Sequence, residues 1–261
     1  MEVVEPTTEG GTRIEYVGHS TVLLELDGVR VLTDPLLRRR IVHLRRAVEL
    51  PARPPQGLDA VLISHLHYDH LDFPSLALVG RVPLLVVPRG AGGLIGRKLF
   101  RSRVAELGTG ESIELGAVRV RATESVHDGR RRPLGVRAES VGYLFEGSSS
   151  VYFAGDTDLF PGMADLAPVD VALLPVAGWG PKLGPGHMDP RAAAEAVRLL
   201  RPAVAIPIHW GTYFSMRLRK RTAAAPALPP ADAFREHVLE LAPETEVRIL
   251  QPGESTVVRT R

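Results

Sequence analysis

DAVLISHLHYDHLD, residues 59–72, joins a short apolar run to a dense group of polar side chains. The apolar run is typical of a strand that is covered on both faces. His65 and His67 come directly after it and are two residues apart, so both imidazoles can project to the same side of an extended segment. Asp69 and His70 follow where the chain should turn into a helix. This turn directs their side chains to a position beside the one that His65 and His67 face, rather than to the same ion. Four ligand-type side chains within six positions at the end of a strand indicate a metal site.

Three further ligand-type side chains each follow a predicted strand: His127 after RVRATESV, Asp156 after VYFAG and His209 after AVAIPI. Strand ends that lie on one edge of a sheet converge, as the ligands of a shared site must. A lone histidine is more often a surface or core residue. The prediction of a metal site therefore depends on the clustering of these residues and not on any one histidine. The chain has no cysteine, so any metal here must be held by imidazole and carboxylate groups.

Composition limits the class of protein. The chain has 261 residues, of which 44% are hydrophobic, and this supports a sizeable core. The formal net charge is only +2 although the sequence pI is about 9.1, so bulk charge does not argue for nucleic acid as a partner. The first residues lack the basic and apolar regions of a signal peptide, and no stretch approaches the roughly 20 apolar residues of a membrane span. We therefore expect a cytoplasmic protein without a membrane span.

The pattern of apolar runs predicts an α/β fold. A β meander opens the chain, with a hairpin turn at Asp27-Gly28, and an Arg- and Pro-rich stretch at 35–57 is expected to be a long loop. No Ser/Gly linker divides the chain, so we predict one domain over 1–261 in which two β-rich halves form the two sheets of a four-layer αββα sandwich. The predicted strands are 12–17, 21–26, 29–33, 59–64, 84–87, 111–115, 118–123, 141–146, 151–154, 171–175 and 204–208, and the predicted helices are 73–79, 92–100, 191–200 and 231–241.

The motif HLHYDH, residues 65–70, matches the HxHxDH signature of the metallo-β-lactamase superfamily. His127, the aspartate of AGDTD (Asp156) and the histidine of PIHWGT (His209) fall in the order of that family. The chain thus resembles the superfamily over nearly its whole length, and the resemblance implies the αββα sandwich and hydrolase activity. The segments VGHST, LTDP, GDT and HMDP are similar to those of the branch that holds N-acyl-phosphatidylethanolamine phospholipase D and ascorbate-6-phosphate lactonase.

The resemblance implies a two-metal site. It assigns one ion to His65, His67 and His127, a second ion to Asp69, His70 and His209, and a bridging position to Asp156. Imidazole-rich ligation suits Zn²⁺, while Mn²⁺ or iron remain alternatives on ligand type alone. A hydroxide between two such ions would be the nucleophile of a hydrolase, and Asp69 would belong to this catalytic centre.

His187, in GPGHMDP, is a candidate catalytic residue outside the seven metal ligands. It follows a Gly- and Pro-rich loop and immediately precedes a helix, so it can face the pocket from a helix N-terminus. Similar members of the branch place a histidine here that faces the substrate, where it could protonate a leaving group or bind an oxyanion. The alternative is a capping or loop histidine. His19 and Asp34 also lie in family-like segments and are candidates for orienting the ligands.

The expected reaction is hydrolysis of a phosphodiester or of a phosphate-bearing small molecule. Hydrolysis of a lactone or another acyl ester is the alternative, because the same nucleophile attacks carbonyl carbon. The arginines at 130–132 follow His127 closely and are the candidates for contact with an anionic substrate. Nucleic-acid processing is less favoured, since relatives with that role usually carry an extra domain. A non-catalytic metal-binding protein is disfavoured because no ligand position is lost, and the sequence leaves homo-oligomerisation open.

Overall fold

The computed structural model describes residues 11–95, 103–131, 135–177, 183–215 and 229–259. Within these ranges the strands are β1 Thr12–Gly18, β2 Thr21–Leu26, β3 Val29–Thr33, β4 Arg40–Ile41, β5 Leu44–Arg46, β6 Ala60–Leu62, β7 Leu84–Pro88, β8 Arg103–Leu107, β9 Ser112–Leu115, β10 Val118–Glu124, β11 Val141–Glu146, β12 Ser150–Phe153, β13 Val171–Pro175, β14 Val204–Ile208, β15 Tyr213–Ser215, β16 Glu246–Val247 and β17 Ser255–Val258. The helices are α1 Phe73–Val79, α2 Gly92–Ile95, α3 Pro190–Leu200 and α4 Pro230–Leu241, with a 3₁₀ helix at Pro161–Leu166.

Two mixed sheets form the interior of the protein. Among the described strands, the first sheet has the order β17-β1-β2-β3-β6-β7-β8 and the second has the order β16-β14-β13-β12-β11-β10-β9. One apolar cluster joins the facing sides of the two sheets and includes Ile14, Leu62, Tyr143 and Ile206. These layers are the two inner layers of the predicted αββα sandwich.

Each sheet carries helices on its outer face. A second apolar cluster packs α3 and α4 against the second sheet, for example through Val197, Phe234 and Leu174. A third cluster packs α1 and α2 against the first sheet through Leu76 and Ile95. The predicted four-layer α/β sandwich is therefore confirmed. Among the described helices, none is long and apolar enough to cross a membrane.

The directions of the strands bring several chain segments to one edge of the sandwich. In the first sheet β1 and β3 run in the same direction, since each is antiparallel to β2, and β6 is parallel to β3. In the second sheet β10 and β12 run in the same direction, since each is antiparallel to β11, and β13 and β14 are parallel to β12. The carboxyl ends of strands that share a direction meet at one edge, where binding sites of α/β sheets lie. The residues after β1, β3, β6, β10, β12 and β14 are therefore neighbours.

Local signals explain where the long helices begin. Asp72 precedes α1, and its carboxylate accepts a hydrogen bond from the backbone nitrogen of Ser75. Asp189 precedes α3 and accepts from the backbone nitrogen of Ala192 in the same way. Each helix has a proline in its first turn, where a missing backbone N–H costs nothing.

The strands and helices predicted from the sequence are found with small shifts of their ends, but one expectation needs correction and another falls partly outside the described residues. The stretch at 35–57 is not only a loop, because it contains the β4–β5 hairpin, which pairs with β15 in a three-stranded sheet. The helix expected at 92–100 is described only as α2, and residues 96–100 lie outside the described ranges. Strands β8, β15, β16 and β17 were not predicted.

Candidate metal centre

The structure brings His65, His67 and His127 together. Their candidate ligand atoms lie within 4.8 Å of one another. The Nε2 atom of His127 lies 3.0 Å from the Nδ1 atom of His67. The Nδ1 atom of His127 lies 2.8 Å from the carbonyl oxygen of Gly186, and because a carbonyl can only accept, this nitrogen carries the proton. The Nε2 lone pair of His127 therefore points toward His67, as two ligands of one ion would.

A second group contains Asp69, His70 and His209, and the structure adds His19 to it. The Oδ2 atom of Asp69 lies 3.1 Å from Nε2 of His70, 3.7 Å from Nε2 of His209 and 2.9 Å from Nε2 of His19. All four residues are buried. From the sequence His19 was a candidate for orienting a ligand, and its contact with Asp69 fits that role, although its nitrogen is also close enough to hold an ion.

Asp156 lies between the two groups. Its Oδ2 atom is 3.2 Å from Nε2 of His70 and 4.0 Å from Nε2 of His65, and its Oδ1 atom is 3.4 Å from Nε2 of His209. The side chain is 2% exposed. One carboxylate thus faces imidazoles of both groups, which is the position that the sequence predicted for a bridging ligand.

Behind these side chains lies a row of oxygen acceptors that fixes the rings. The carboxylate of Asp34 faces Nδ1 of His70 at 2.8 Å and also accepts from the hydroxyl of Ser64 at 2.6 Å. The Ser64 oxygen lies 3.0 Å from Nδ1 of His65. Nδ1 of His209 lies 2.7 Å from the carbonyl oxygen of Ala177. Such contacts set the tautomer that leaves Nε2 available as a ligand.

The donor set fits divalent metal ions. In the described part of the chain, Nε2 of His65 is buried and has no hydrogen-bond partner, and its nearest carboxylate oxygen is the one 4.0 Å away in Asp156. A buried imidazole nitrogen without a partner is costly unless it binds something that the polypeptide does not supply. Nitrogen and carboxylate oxygen are the usual protein ligands of zinc, and imidazole also suits iron.

Burial sets the charge state of the first group. Burial lowers the pKa of His65 well below its ordinary value and lowers the pKa of His127 to about 4. Burial likewise lowers the pKa of His67. All three imidazoles are therefore neutral near pH 7, and neutral imidazole is the form that binds a metal.

The pKa values of the two buried carboxylates are lowered as well, which leaves these groups charged. Burial alone would raise the pKa of Asp156, but the nearby His209 and His70 lower it well below its ordinary value. Burial would also raise the pKa of Asp69, but His70 and the hydrogen bond from His19 lower it. Both groups are therefore ionised near pH 7, and two buried carboxylates that each face Nε2 of His70, at 3.1 Å and 3.2 Å, attract a divalent cation.

His187 lies at the same edge. Its Nε2 atom is 3.5 Å from Oδ2 of Asp156, and its ring is perpendicular to that of His127 at a centroid distance of 4.8 Å. The side chain is 21% exposed, so the residue lies at the mouth of the site. Burial alone would lower the pKa of His187, but the contact with Asp156 raises it above its ordinary value. Residues 178–182 of the preceding loop lie outside the described ranges.

Gly186 is a functional position that the sequence analysis missed. It has φ of 80°, and a Cβ atom there would lie 2.9 Å from Nδ1 of His127 and 3.1 Å from the carbonyl oxygen of Val126. Only glycine therefore lets this loop approach close enough for its carbonyl to hold His127. The available signal was the Gly-rich composition next to His187, but nothing in the sequence connects it with a histidine 59 residues away.

Of the arginines at 130–132, the two that the structure describes make contacts within the chain. The guanidinium of Arg131 stacks over the ring of Tyr68 at 4.4 Å, and its Nη1 donates to the carbonyl oxygens of Leu66 and Leu71. Arg131 thus supports the loop that carries the ligands. Arg130 lies 3.4 Å from the carboxylate of Asp128, and residue 132 lies outside the described ranges.

Comparison with known proteins finds relatives of this chain by sequence and by fold. The family profile described as "Beta-lactamase superfamily domain" matches residues 29–210. A UPF0173 metal-dependent hydrolase of Methanopyrus kandleri is 33% identical over 260 residues, which covers 93% of this chain and 98% of the relative. A metallo hydrolase from the archaeon Ignicoccus hospitalis superimposes with a TM-score of 0.68 at 23% identity, over 96% of this chain and 100% of that chain. A diiron β-hydroxylase from Streptomyces venezuelae has a TM-score of 0.68 at 23% identity, and the match covers 98% of this chain but 55% of the hydroxylase.

Proposed function

Since this chain belongs to the metal-dependent hydrolases of the metallo-β-lactamase superfamily, we propose that it is a dinuclear hydrolase. In this proposal His65, His67 and His127 hold one ion and Asp69, His70 and His209 hold the other. Asp156 is the ligand that both ions share. The residues are the seven that the HxHxDH motif and the later strand ends predicted.

One observation carries the proposal: the carboxylate of Asp156 lies between two separate groups of ligand atoms. Its Oδ2 faces His70 at 3.2 Å and His65 at 4.0 Å, so it contacts one member of each group. A single ion needs about four ligands, whereas six ligand-type side chains are arranged here around the shared carboxylate of Asp156. Two ions account for all seven.

Two divalent ions, when bound, supply Lewis acidity and lower the pKa of water to about 7, which allows hydrolysis at neutral pH. The chain's own residues prepare the site for them. Asp34 holds the ring of His70 from behind, the carbonyl of Ala177 does the same for His209, and Gly186 holds His127. These hydrogen bonds orient the ligand side chains in the absence of metal, which favours a defined coordination geometry when an ion binds.

We propose zinc as the resident metal because imidazole nitrogens form the majority of the donor set. Manganese and iron are the alternatives, since ligand type alone does not separate them. The Streptomyces β-hydroxylase of the same fold is a diiron protein. Metal analysis of the purified chain decides between them.

For the substrate we propose a phosphodiester or another phosphate-bearing small molecule, with a lactone or acyl ester as the second candidate. The likeness of VGHST, LTDP and HMDP to the phospholipase and lactonase branch supports this order. Two cations held by these residues would stabilise negative charge on either a phosphoryl or a carbonyl oxygen, so the site suits both reactions.

We assign to His187 a role toward the substrate. It is partly exposed at the mouth of the site, and its pKa is raised by Asp156, so it can carry a proton near neutral pH. An imidazolium in that place can protonate a leaving group or hold an oxyanion. Asp69 contributes to catalysis by holding the second ion.

The test compares the variant Asp69→Ala with the control variant Asp128→Ala. Asp128 is an exposed aspartate next to His127 and belongs to neither ligand group. Asp69→Ala should retain one zinc ion while its kcat/KM falls at least about 100-fold, since loss of a ligand should cost more than loss of a contact behind one. Bis-p-nitrophenyl phosphate, a lactone and p-nitrophenyl esters are the substrates, and Asp128→Ala should behave as the wild type. Unchanged turnover in Asp69→Ala would remove the case for two ions acting together.

A further inference from the structure

A cavity of about 240 Å³ opens beside the metal centre. One wall is the tip of the β4–β5 hairpin, residues 41–44. The opposite wall is formed by His67, Tyr68 and Asp69, together with Arg131. His67 belongs to the first ligand group and Asp69 to the second, so the cavity is continuous with both.

The walls of this cavity offer mainly apolar and aromatic surface. At the hairpin tip Ile41 and Leu44 are buried, whereas Val42 is 64% exposed, and on the other side of the cavity Tyr68 is 39% exposed. Arg131 stacks on Tyr68 and donates to two backbone carbonyls, so part of its hydrogen-bonding capacity is used within the loop. A group that lies here therefore gains more from apolar contact than from ion pairing.

Val42 has an unusual backbone conformation. Its φ is 45°, in the left-handed region that β-branched residues rarely adopt. An exposed valine with this φ lacks both a relaxed backbone and the stabilisation that burial gives to apolar side chains. Strained residues of this kind concentrate at ligand sites, where contact with a ligand compensates for them.

We propose that this cavity binds an apolar substituent of the substrate, an alkyl or aryl group, while the scissile group lies at the metal ligands. Val42 and Tyr68 are the residues that contact the substituent. The inference rests on the proposed function, because it takes the occupant to be part of the molecule that is hydrolysed. It narrows the substrate class to esters with an apolar group next to the reacting centre.

Binding of two phosphonates to the zinc-loaded protein tests this independently of turnover. Hexylphosphonate and methylphosphonate share an anionic head for the metal centre and differ in the apolar chain. Calorimetry should give hexylphosphonate an affinity at least about 10-fold higher, because burial of each methylene adds to binding. Val42→Asn should reduce this ratio at least about threefold, and Val42→Leu should keep it.

Asparagine tolerates a positive φ, so Val42→Asn should fold at least as well as the wild type, which thermal unfolding checks. Leu239→Asn is the matched control, because Leu239 is 61% exposed on α4 and does not line the cavity. Equal affinities for the two phosphonates, or an affinity ratio that Val42→Asn leaves unchanged, would overturn the inference. Neither result would contradict the proposed metal centre. The protein could also prefer hexylphosphonate but hydrolyse neither bis-p-nitrophenyl phosphate, nor the lactone, nor the p-nitrophenyl esters. This result would contradict the proposed function but would still support an apolar binding site in this cavity. If neither phosphonate binds, the inference is overturned.

Discussion

At the scale of single residues, the metal centre is defined by which nitrogen each histidine leaves available. His127 and His209 donate from Nδ1 to the backbone carbonyls of Gly186 and Ala177, and Asp34 faces Nδ1 of His70. The Nε2 atoms of all three then point into the site. His187 differs from these three: its Nδ1 lies 3.3 Å from the carbonyl oxygen of Gly184 and 3.2 Å from that of Pro185, and its Nε2 faces Asp156. Because its side chain is 21% exposed, it can exchange a proton with a molecule that enters the site.

His187→Ala should retain both ions and the fold but lower kcat by roughly 10² to 10⁴, the usual range for a proton donor or an oxyanion contact. If the role is proton donation, substrates with p-nitrophenolate as the leaving group should lose less, because this group needs little protonation. Steady-state kinetics on p-nitrophenyl and alkyl esters of the same acid measures the difference. His237→Ala, a half-exposed histidine on α4, is the control.

An equal loss on both leaving groups would assign oxyanion binding to His187. Wild-type kcat on every substrate would show that the residue has no part in the reaction. Loss of an ion from the variant would make it a metal ligand, which the contact of 3.5 Å between its Nε2 and Asp156 also permits.

The seven proposed ligands could be predicted from the sequence because each follows an apolar run, and the structure brings these seven residues together. The contacts behind them could not be predicted in the same way. The partners of His127 and His209 are backbone carbonyls of distant loops, and a carbonyl leaves no residue-specific mark in a sequence. His19 and Asp34 were found only as members of family-like segments, with a structural role as an equal alternative.

At the scale of elements, helix α1 and its cap fix the loop that carries four of the proposed ligands. Asp72 is 4% exposed and accepts from the backbone nitrogen of Ser75. It also receives two hydrogen bonds of 2.9 Å from the guanidinium of Arg38. The loop from His65 to His70 is thus held between the buried strand β6 and a capped helix that is tied to the segment after β3.

Asp72→Ala should lower the free energy of unfolding by about 3 kcal/mol, because it removes the cap and leaves the Arg38 bonds unmade. Asp189→Ala is the matched variant, since Asp189 caps α3 with one hydrogen bond and is exposed. It should cost only about 1 kcal/mol. Urea unfolding of both variants without added metal gives the comparison, and equal losses would show that Asp72 acts as an ordinary cap.

Three of the strands that the sequence analysis missed are very short. Strands β4, β5 and β15 have two or three residues each, and β15 pairs with β5 across more than 160 residues of chain. Runs of that length contain too few side chains to show a period of two. Arginine at 40, 45 and 46 also hides the pattern, although Arg46 is buried and donates to the carbonyl oxygens of Val17 and Leu36.

At the scale of the whole molecule, the metal centre lies where the two sheets meet. His65, His67, Asp69 and His70 follow a strand of the first sheet, and the remaining ligands follow strands of the second. The backbone also links the sheets at this edge, since the nitrogen of His209 donates to the carbonyl oxygen of His19 at 2.8 Å. We propose that 1–261 forms one domain, which the pairing of β17 with β1 supports.

The number of ions per chain tests the dinuclear proposal most directly. Purified protein saturated with zinc and freed of excess metal should contain two ions per chain by elemental analysis, because six proposed ligands and the carboxylate of Asp156 are too many for a single ion. Anomalous scattering at the zinc edge should place them about 3.5 to 4 Å apart on either side of Asp156. A stoichiometry of one at saturation, with a single anomalous peak at this edge of the sandwich, would contradict the proposed dinuclear centre.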